Sequence, residues 1–230
     1  MIRFADVVCA RYNAGATSTT IFQRSSLSPL TSDSITLPEL LGDLEDPAFG
    51  RTLHTLTYPT GPRNPLQEYL RTHDGRVAGI GSEITEHEYS DHAPYIREKY
   101  LHMIHNDGAI PEKFRTKKFA QRVFPKVWDE NGPNITATSL PEDYVHYAQP
   151  RIPTVREWAR IQTFPDWYQF AGPRTTGGRR RAGDPSKGIW SRDVPKYTQI
   201  GNAVPVMLAQ KVGEHLAALL KGEKRITVKR

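Results

Sequence analysis

The hydrophobic pattern of this chain yields few regular elements, and the clearest comes last. Leu208, Val212, Leu216, Leu219 and Leu220 recur at helical spacing and form one strong apolar stripe. Pro205 suits the first turn of such a helix, where its missing N–H costs nothing. The pattern therefore predicts a helix from Val206 to Leu220, entered through the polar turn Gln199-Ile200-Gly201-Asn202. A second helix starts within "IPTVREWARIQTFPD" (Ile152 to Asp166), with Val155, Trp158, Ala159 and Ile161 on its apolar side. Thr154 followed three residues later by Glu157 is a capping box, and Pro165 is the expected stop. "TLPELLGDLEDP" (Thr36 to Pro47) predicts a short helix capped by Thr36, with Pro38 in its first turn and Gly42 or Pro47 ending it. "APYIREKYLHMIHNDG" (Ala93 to Gly108) places Ile96, Tyr100, Met103 and Ile104 on one face, with Gly108 as the stop. "FADVVCARY" (Phe4 to Tyr12) reads as a short buried strand and "PNITATSL" (Pro133 to Leu140) as a β-segment. Residues 13–34 and 171–196 read as loop, and 50–85 as loop with short elements. No internal repeat is evident.

Composition changes this picture in one respect. Only 37% of the 230 residues are hydrophobic, with 18 prolines and 17 glycines. That predicts much irregular backbone, or a surface completed by another chain. A formal net charge of +6 favours a polyanionic partner. The single cysteine, Cys9, excludes an internal disulfide and a cysteine-built zinc site, and no metal is expected. Its position inside a strand suits a small buried core residue better than a catalytic thiol, which favours a turn or a helix start. There is no charged-then-apolar leader and no apolar run of about 18 residues, so the expected location is the cytoplasm.

Two basic stretches carry candidate chemistry. Lys113 to Lys126 holds six cations, among them Lys113, Arg115, Lys117, Lys118 and Arg122, no acid, and three interleaved phenylalanines. Cations for phosphate and rings for packing suit a nucleic-acid surface; a solvated basic face over core phenylalanines fits the same residues. Arg174 to Lys196 has seven cations and two acids, including Arg174, Arg179, Arg180 and Arg181. Phosphate contacts and an ordinary surface loop are both compatible with it. The turn before the last helix is open in the same way. Gly201 allows a sharp turn or a close approach, Asn202 is placed to cap or to face outward, and the unpaired N–H groups of a helix start suit a carboxylate or phosphate. An ordinary helix cap without ligand needs the same residues.

Two motifs in order give these residues a context. "PRIPTVREWARIQTFPDWYQFAG", followed after a basic loop by "YTQIGNAVP", resembles the last two motifs, IX and X, of the DNA (cytosine-5) methyltransferases. The first matches through Arg151, Thr154, Arg156, Glu157, Ala159, Arg160, Gln162, Phe164, Pro165 and Asp166, the second through Gln199 to Pro205. "PNITAT" resembles the segment before the first motif, and "ITLPELLGDL" a short helix after the catalytic half. The resemblance spans most of the chain and is specific over about residues 133–213. It implies a family in which a Rossmann-like domain binds S-adenosyl-L-methionine and a smaller target-recognition domain grips double-stranded DNA. The cytosine is flipped out of the duplex, a cysteine thiolate adds to C6, a glutamate assists at N3, and C5 takes the methyl group before its proton and the thiolate leave.

These 230 residues contain no Pro-Cys pair, Cys9 being preceded by Val8, no Glu-Asn-Val triplet and no phenylalanine-rich glycine loop for the cofactor. "RFADVVCARY" resembles instead the strand that follows the eighth motif. The fold class expected is mixed α+β and α/β, a partial methyltransferase fold with a loop-rich target-recognition region and a C-terminal helix that packs on a Rossmann-like catalytic domain. Residues 1–48 would be a remnant of the catalytic-domain edge. Residues 49–195 would be the target-recognition region, with the motif IX helix near 154–164. Residues 196–220 would be the motif X turn and returning helix, and 221–230 a basic tail. By resemblance, Gly201, Asn202, Ala203 and Val204 line the methionine end of S-adenosyl-L-methionine, in a site incomplete without a partner chain carrying motifs I to VIII. Thr154, Arg156, Glu157 and Gln162 are structural, and whether Arg156 pairs near Glu157 is open. The DNA-contact candidates are the nine lysines and arginines named above. No residue here is catalytic, and activity is expected only with a chain that supplies the Pro-Cys nucleophile, in a restriction-modification setting. A non-catalytic DNA-binding remnant or regulator is the alternative, and a poorly folding fragment of a decayed gene a third.

Overall fold

Trp158 lies at the centre of the protein, fully buried on a seven-residue helix. A computed structural model describes residues 35–115, 121–126, 135–136, 139–174, 185–188 and 194–221. The expected strand Phe4–Tyr12 with Cys9, the loop after it and the basic tail lie outside the described residues. So do Lys117, Lys118, Arg179, Arg180 and Arg181.

The described residues form six α-helices: α1 (Leu37–Leu41), α2 (Pro65–Arg71), α3 (Pro94–His105), α4 (Val155–Ile161), α5 (Lys196–Asn202) and α6 (Val206–Leu220). Strands are minimal. β1 (Thr72–His73) and β2 (Arg76–Val77) form an antiparallel hairpin, and β3 (Arg122–Val123) runs parallel to β4 (Tyr144–Val145). An irregular antiparallel ribbon joins residues 53–58 to 82–89 through bonds such as Ile84 N–H to the Leu56 carbonyl, 2.8 Å, and Tyr89 N–H to the Leu53 carbonyl, 2.8 Å.

Local chemistry sets the short helices. Thr36 and Glu39 form a capping box on α1, and Gly42 caps its other end. Asn64 caps α2 by accepting the Gln67 N–H, with Pro65 as the first helical residue. The side chains of Asn64 and Gln67 both donate to the Glu39 carbonyl at the end of α1, which locks α1 to α2. The hairpin turns on Asp74 and Gly75, φ 50° and 73°, a pair of left-handed residues suited to a two-residue connection. α3 ends where Gly108, φ 81°, returns its N–H to the Met103 carbonyl at 2.8 Å.

The main core gathers Leu37, Leu40, Leu41 and Leu44 with Tyr58, Leu70, Phe124, Tyr144, Trp158, Phe170, Tyr197 and Ile200. A second cluster of Tyr100, Met103, Val145 and Ile152 lies under α3, with Ile96 and Ile104 partly buried against it, as its spacing predicts. Three expectations are corrected. The Gln199–Asn202 turn is the last part of helix α5, and Gly201 takes no positive φ there. Burial of Tyr197 and Ile200, one turn apart, overrides the low helix propensity of the stretch. Within Pro133–Leu140, the described residues Ile135, Thr136, Ser139 and Leu140 lie in no strand. α4 ends at Ile161, ahead of Pro165, because the chain reverses at Thr163, φ 57°.

Candidate functional site

The segment of first interest runs from α4 through the α5–α6 junction. The Thr154 hydroxyl accepts the Glu157 N–H at 3.2 Å, and the Glu157 carboxylate takes back the Thr154 N–H at 2.9 Å. That carboxylate also receives a two-pronged bond from Arg151, at 2.6 and 2.7 Å, with both side chains buried. Arg151 also donates to Gln149 Oε1 and to the Ile152 carbonyl, and its guanidinium lies over the Tyr89 ring. Burial alone would raise the Glu157 pKa. The Arg151 charge and its hydrogen bonds outweigh burial and hold it well below the usual carboxylate range.

Two buried histidines stand beside this pair. His146 accepts the Ala148 and Gln149 N–H groups at Nδ1, which places its proton on Nε2, 3.5 Å from Glu157 Oε1. Protonating Nδ1 as well would break both bonds, so this ring is neutral. Burial, and then Arg151, push its pKa down to about 3. His87 bridges the Thr154 hydroxyl and the Leu44 carbonyl, and burial lowers its pKa to about 4.

A second network holds the other side of α4. Arg160 binds Asp166 through Nε and Nη2 and Asp43 through Nη1 and Nη2, and it donates to the Leu40 carbonyl. Arg71 binds the same Asp43, and Tyr58 donates to Asp166 at 2.7 Å. Two arginines and two aspartates thus neutralise one another in the interior. The open pairing of Arg156 resolves away from Glu157. Arg156 donates to the Thr85, Pro165 and Tyr168 carbonyls and to the Thr85 hydroxyl. Gln162 is buried and reaches the Ile135 carbonyl at 3.4 Å. All four motif IX residues named from sequence lie in the α4 scaffold. Sequence reasoning assigned no role to Asp43, His87, His146 or Thr163. Asp43 lies 117 positions from Arg160, and no local pattern marks that pairing.

α5 is anchored to this scaffold. Tyr197 packs edge-to-face on Trp158 and donates to the Pro153 carbonyl at 2.7 Å, while Lys196 holds the Glu86 carboxylate at 2.7 and 2.9 Å. Gly201 and Asn202 end α5, and Ala203, Val204 and Pro205 link it to α6. Asn202 and Val204 face solvent, Val204 at 61% exposure, while Gly201 and Ala203 are half-buried. One expected feature is corrected here. The Val206 N–H donates to the Gln162 carbonyl at 3.1 Å and the Met207 N–H to the Thr163 hydroxyl at 2.9 Å. These first α6 donors cannot also bind a carboxylate.

The rest of α6 contrasts with α5. None of its residues is buried; Val212, Leu216 and Leu220 are 44, 47 and 90% exposed. A side-chain tie to another element runs from the Tyr69 hydroxyl on α2 to Gln210 Oε1, 2.8 Å.

Among the basic candidates that are described, Lys113 is exposed and pairs with Glu98 at 2.9 Å. Arg115 donates to the Ile110 carbonyl, and Arg174 to the Glu88 carbonyl and the Ser90 hydroxyl. Arg122 is exposed on β3. Of these contacts only Lys113–Glu98 is an ion pair, and an exposed pair is worth about 0–1 kcal/mol. No His, Cys, Asp and Glu cluster among the described residues could hold a metal, and no described helix is long and apolar enough to cross a membrane.

Comparison with known proteins closes on the same segment. The type II methyltransferase M.DdeI of Desulfomicrobium norvegicum is 29% identical over 202 residues, 82% of this chain and 44% of its own length. M.Eco47II of Escherichia coli is 40% identical over 97 residues, 40% of this chain and 18% of its own. M.AquIB of Picosynechococcus sp. is 31% identical over 140 residues, 60% of this chain and 90% of its own. The chain thus spans less than half the length of the first two relatives and nearly all of the third. The family model for C-5 cytosine-specific DNA methylases matches residues 64–218, from the cap of α2 through α4 and α5 into α6, and the chain belongs to that family.

Proposed function

We propose that these residues form the DNA-recognition and cofactor-completing part of a DNA (cytosine-5) methyltransferase, working with a catalytic module that carries the Pro-Cys and Glu-Asn-Val motifs. The observation that carries the reading is α6: fifteen residues, rich in leucine and valine, with none buried. An apolar helix face of this kind is stabilised only when another surface covers it. The length of M.AquIB supports a separate catalytic chain, since a 140-residue match already spans 90% of that methyltransferase.

In this reading the α4 scaffold and α1 to α3 form the rigid body of the recognition region, and α6 docks on the catalytic module. Asn202 and Val204, exposed at the junction, would flank the methionine end of S-adenosyl-L-methionine, with Gly201 and Ala203 behind them. When bound, that cofactor supplies the methyl group. This chain's part is to orient it, to exclude water beside it, and to hold the duplex in register while the catalytic module acts on the extruded base. Lys113, Arg115, Arg122 and Arg174, together with Lys117, Lys118 and Arg179 to Arg181, are proposed for phosphate contact, which positions more than it specifies.

The test is reconstitution. The chain is mixed with a methyltransferase polypeptide from the same locus that carries both missing motifs, with labelled S-adenosyl-L-methionine and duplex DNA. Methyl transfer that requires both components supports the proposal. DNA binding without transfer in any mixture supports a non-catalytic regulator instead. Within the active mixture, Asn202→Ala is expected to weaken cofactor affinity; unchanged affinity would remove Asn202 from the site.

A further inference from the structure

Thr163 occupies a backbone position that suits glycine. After α4, the Phe164 N–H returns to the Ala159 carbonyl at 3.0 Å and the Thr163 N–H to the Arg160 carbonyl at 2.8 Å. This is the Schellman ending of a helix, in which the residue at the position of Thr163 is left-handed and most often glycine. Thr163 sits there with φ 57°. A β-branched side chain is poorly suited to that conformation. Helix termination therefore does not explain why threonine stands here.

Its hydroxyl does. The Thr163 Oγ1 accepts the Met207 N–H at 2.9 Å, and the neighbouring Gln162 carbonyl accepts the Val206 N–H at 3.1 Å. The last carbonyls of one helix and the first N–H groups of another both lack partners inside their own helices. Here the end of α4 and the start of α6 satisfy one another, and the negative end of one helix meets the positive end of the other. On the far side of the linker, Ala203 N–H returns to the Ile200 carbonyl at 3.1 Å, and Ile200 is fully buried. Residues 203–205 are thus clamped at both ends, by the core at Ile200 and by the α4 terminus at Gln162 and Thr163. No residue of α6 is fully buried, and this junction, with the Tyr69–Gln210 bond, contributes to directing the helix.

We infer that Thr163 is a positioning residue: its strained backbone is retained because its hydroxyl fixes the start of α6 and, through it, the Asn202–Val204 segment. The effect on cofactor use rests on the function proposed above; the junction itself does not.

The test compares Thr163→Gly, Thr163→Val and Thr163→Ser. Glycine suits the backbone but lacks the acceptor, valine keeps the shape and lacks the acceptor, and serine keeps it. A role confined to ending α4 requires Thr163→Gly to match or exceed the wild type in every readout. Positioning requires the reverse. Hydrogen exchange at the Met207 amide of the chain alone is expected to quicken about tenfold in the glycine and valine variants and to stay near wild type in the serine variant. In the reconstituted enzyme, the same two variants are expected to raise KM for S-adenosyl-L-methionine several-fold with kcat little changed, and serine to restore it. Unchanged exchange at Met207 in Thr163→Gly overturns the inference, as does quickened exchange with unaltered KM in a wild-type mixture that transfers methyl groups. If the wild-type mixture transfers none, the proposed function fails. Exchange at Met207 then decides the junction alone: quickening in the glycine and valine variants upholds it, and no change overturns it.

Discussion

α4 and α6 are neighbours joined end to end, yet they solve opposite problems. Every residue of α4 is buried, including Arg156, Glu157 and Arg160, and each charge has its partners within the chain. α6 is twice as long and more apolar, yet no residue of it is fully buried; Leu208 and Leu219 are half-buried, and Val212, Leu216 and Leu220 are exposed. Charged residues are fully inside on α4 while leucines of α6 stay partly or largely outside, the reverse of an ordinary amphipathic arrangement. The difference teaches that burial here does not follow hydropathy alone. The charges of the α4 region find their partners within the chain, although Trp158 Nε1 and His146 Nε2 stay buried without a hydrogen-bond partner among the described residues; on the function proposed above, α6 is finished by a second surface.

The contrast breaks most visibly where α4 loses a charge partner. Asp43→Ala leaves Arg71 and part of Arg160 uncompensated in the interior, and a buried pair stripped of one member typically costs about 3–5 kcal/mol. Chemical denaturation should show a loss of that size, or no folded state. A change within experimental error would mean that the network is solvent-relaxed.

Acid attacks the same half of the molecule. His87 and His146 have folded pKa values depressed to about 4 and about 3 from an ordinary 6.5. Between those limits the unfolded chain binds protons that the folded chain refuses, so stability rises with pH across the window and is lost as pH falls below about 6.5. Glu157, also depressed, acts in the same direction: its contribution is present above the unfolded carboxylate pKa and disappears as pH falls further. Melting temperature against pH should therefore drop from near neutrality downward, and His146→Asn should flatten the upper part of the curve. A profile that stays level from pH 7 to pH 4 would contradict the neutral assignment of both rings.

A smaller effect is expected at the cap. Thr154→Ala removes the acceptor for Glu157 N–H and the partner of His87, a change worth about 1 kcal/mol in helix caps. The smallest falls on the other side of the comparison. Leu216→Ser on α6 should alter the stability of the chain alone by no more than about 0.5 kcal/mol, as for an exposed site, while reducing the affinity for a catalytic module. If it destabilised the isolated chain by several times that, α6 would already be packed.

The α4 half was the more legible of the two in the sequence, and for local reasons. A capping box joins residues three positions apart, so Thr154–Glu157 can be read directly, as can Thr36 as the cap of α1, although its pairing with Glu39 comes from the structure, and the stripe of α3 needs only one face. α2 was missed although Asn64-Pro65 is a helix start, because seven residues cannot hold a helix without the contacts to Glu39 that pin it. The Asp74-Gly75 hairpin signal was lost among neighbouring glycines and prolines. The sequence reads as a turn over α5 because Thr198, Ile200 and Gly201 disfavour helix, and only the packing of Tyr197 on Trp158 and the burial of Ile200 decide otherwise. At the site, Gly201 to Val204 were legible as a motif. Thr163 was not, because its meaning depends on a backbone angle and on a donor 44 positions away.

The most direct test of the account is amide exchange along α6, first in the chain alone and then after reconstitution with a catalytic module and cofactor. The amides of Val212 to Leu220 are expected to gain at least about tenfold protection on assembly, while those of α4 change little. Exchange along α6 that is the same in both states, in a mixture that methylates DNA, would contradict the claim that this helix is completed by the catalytic half.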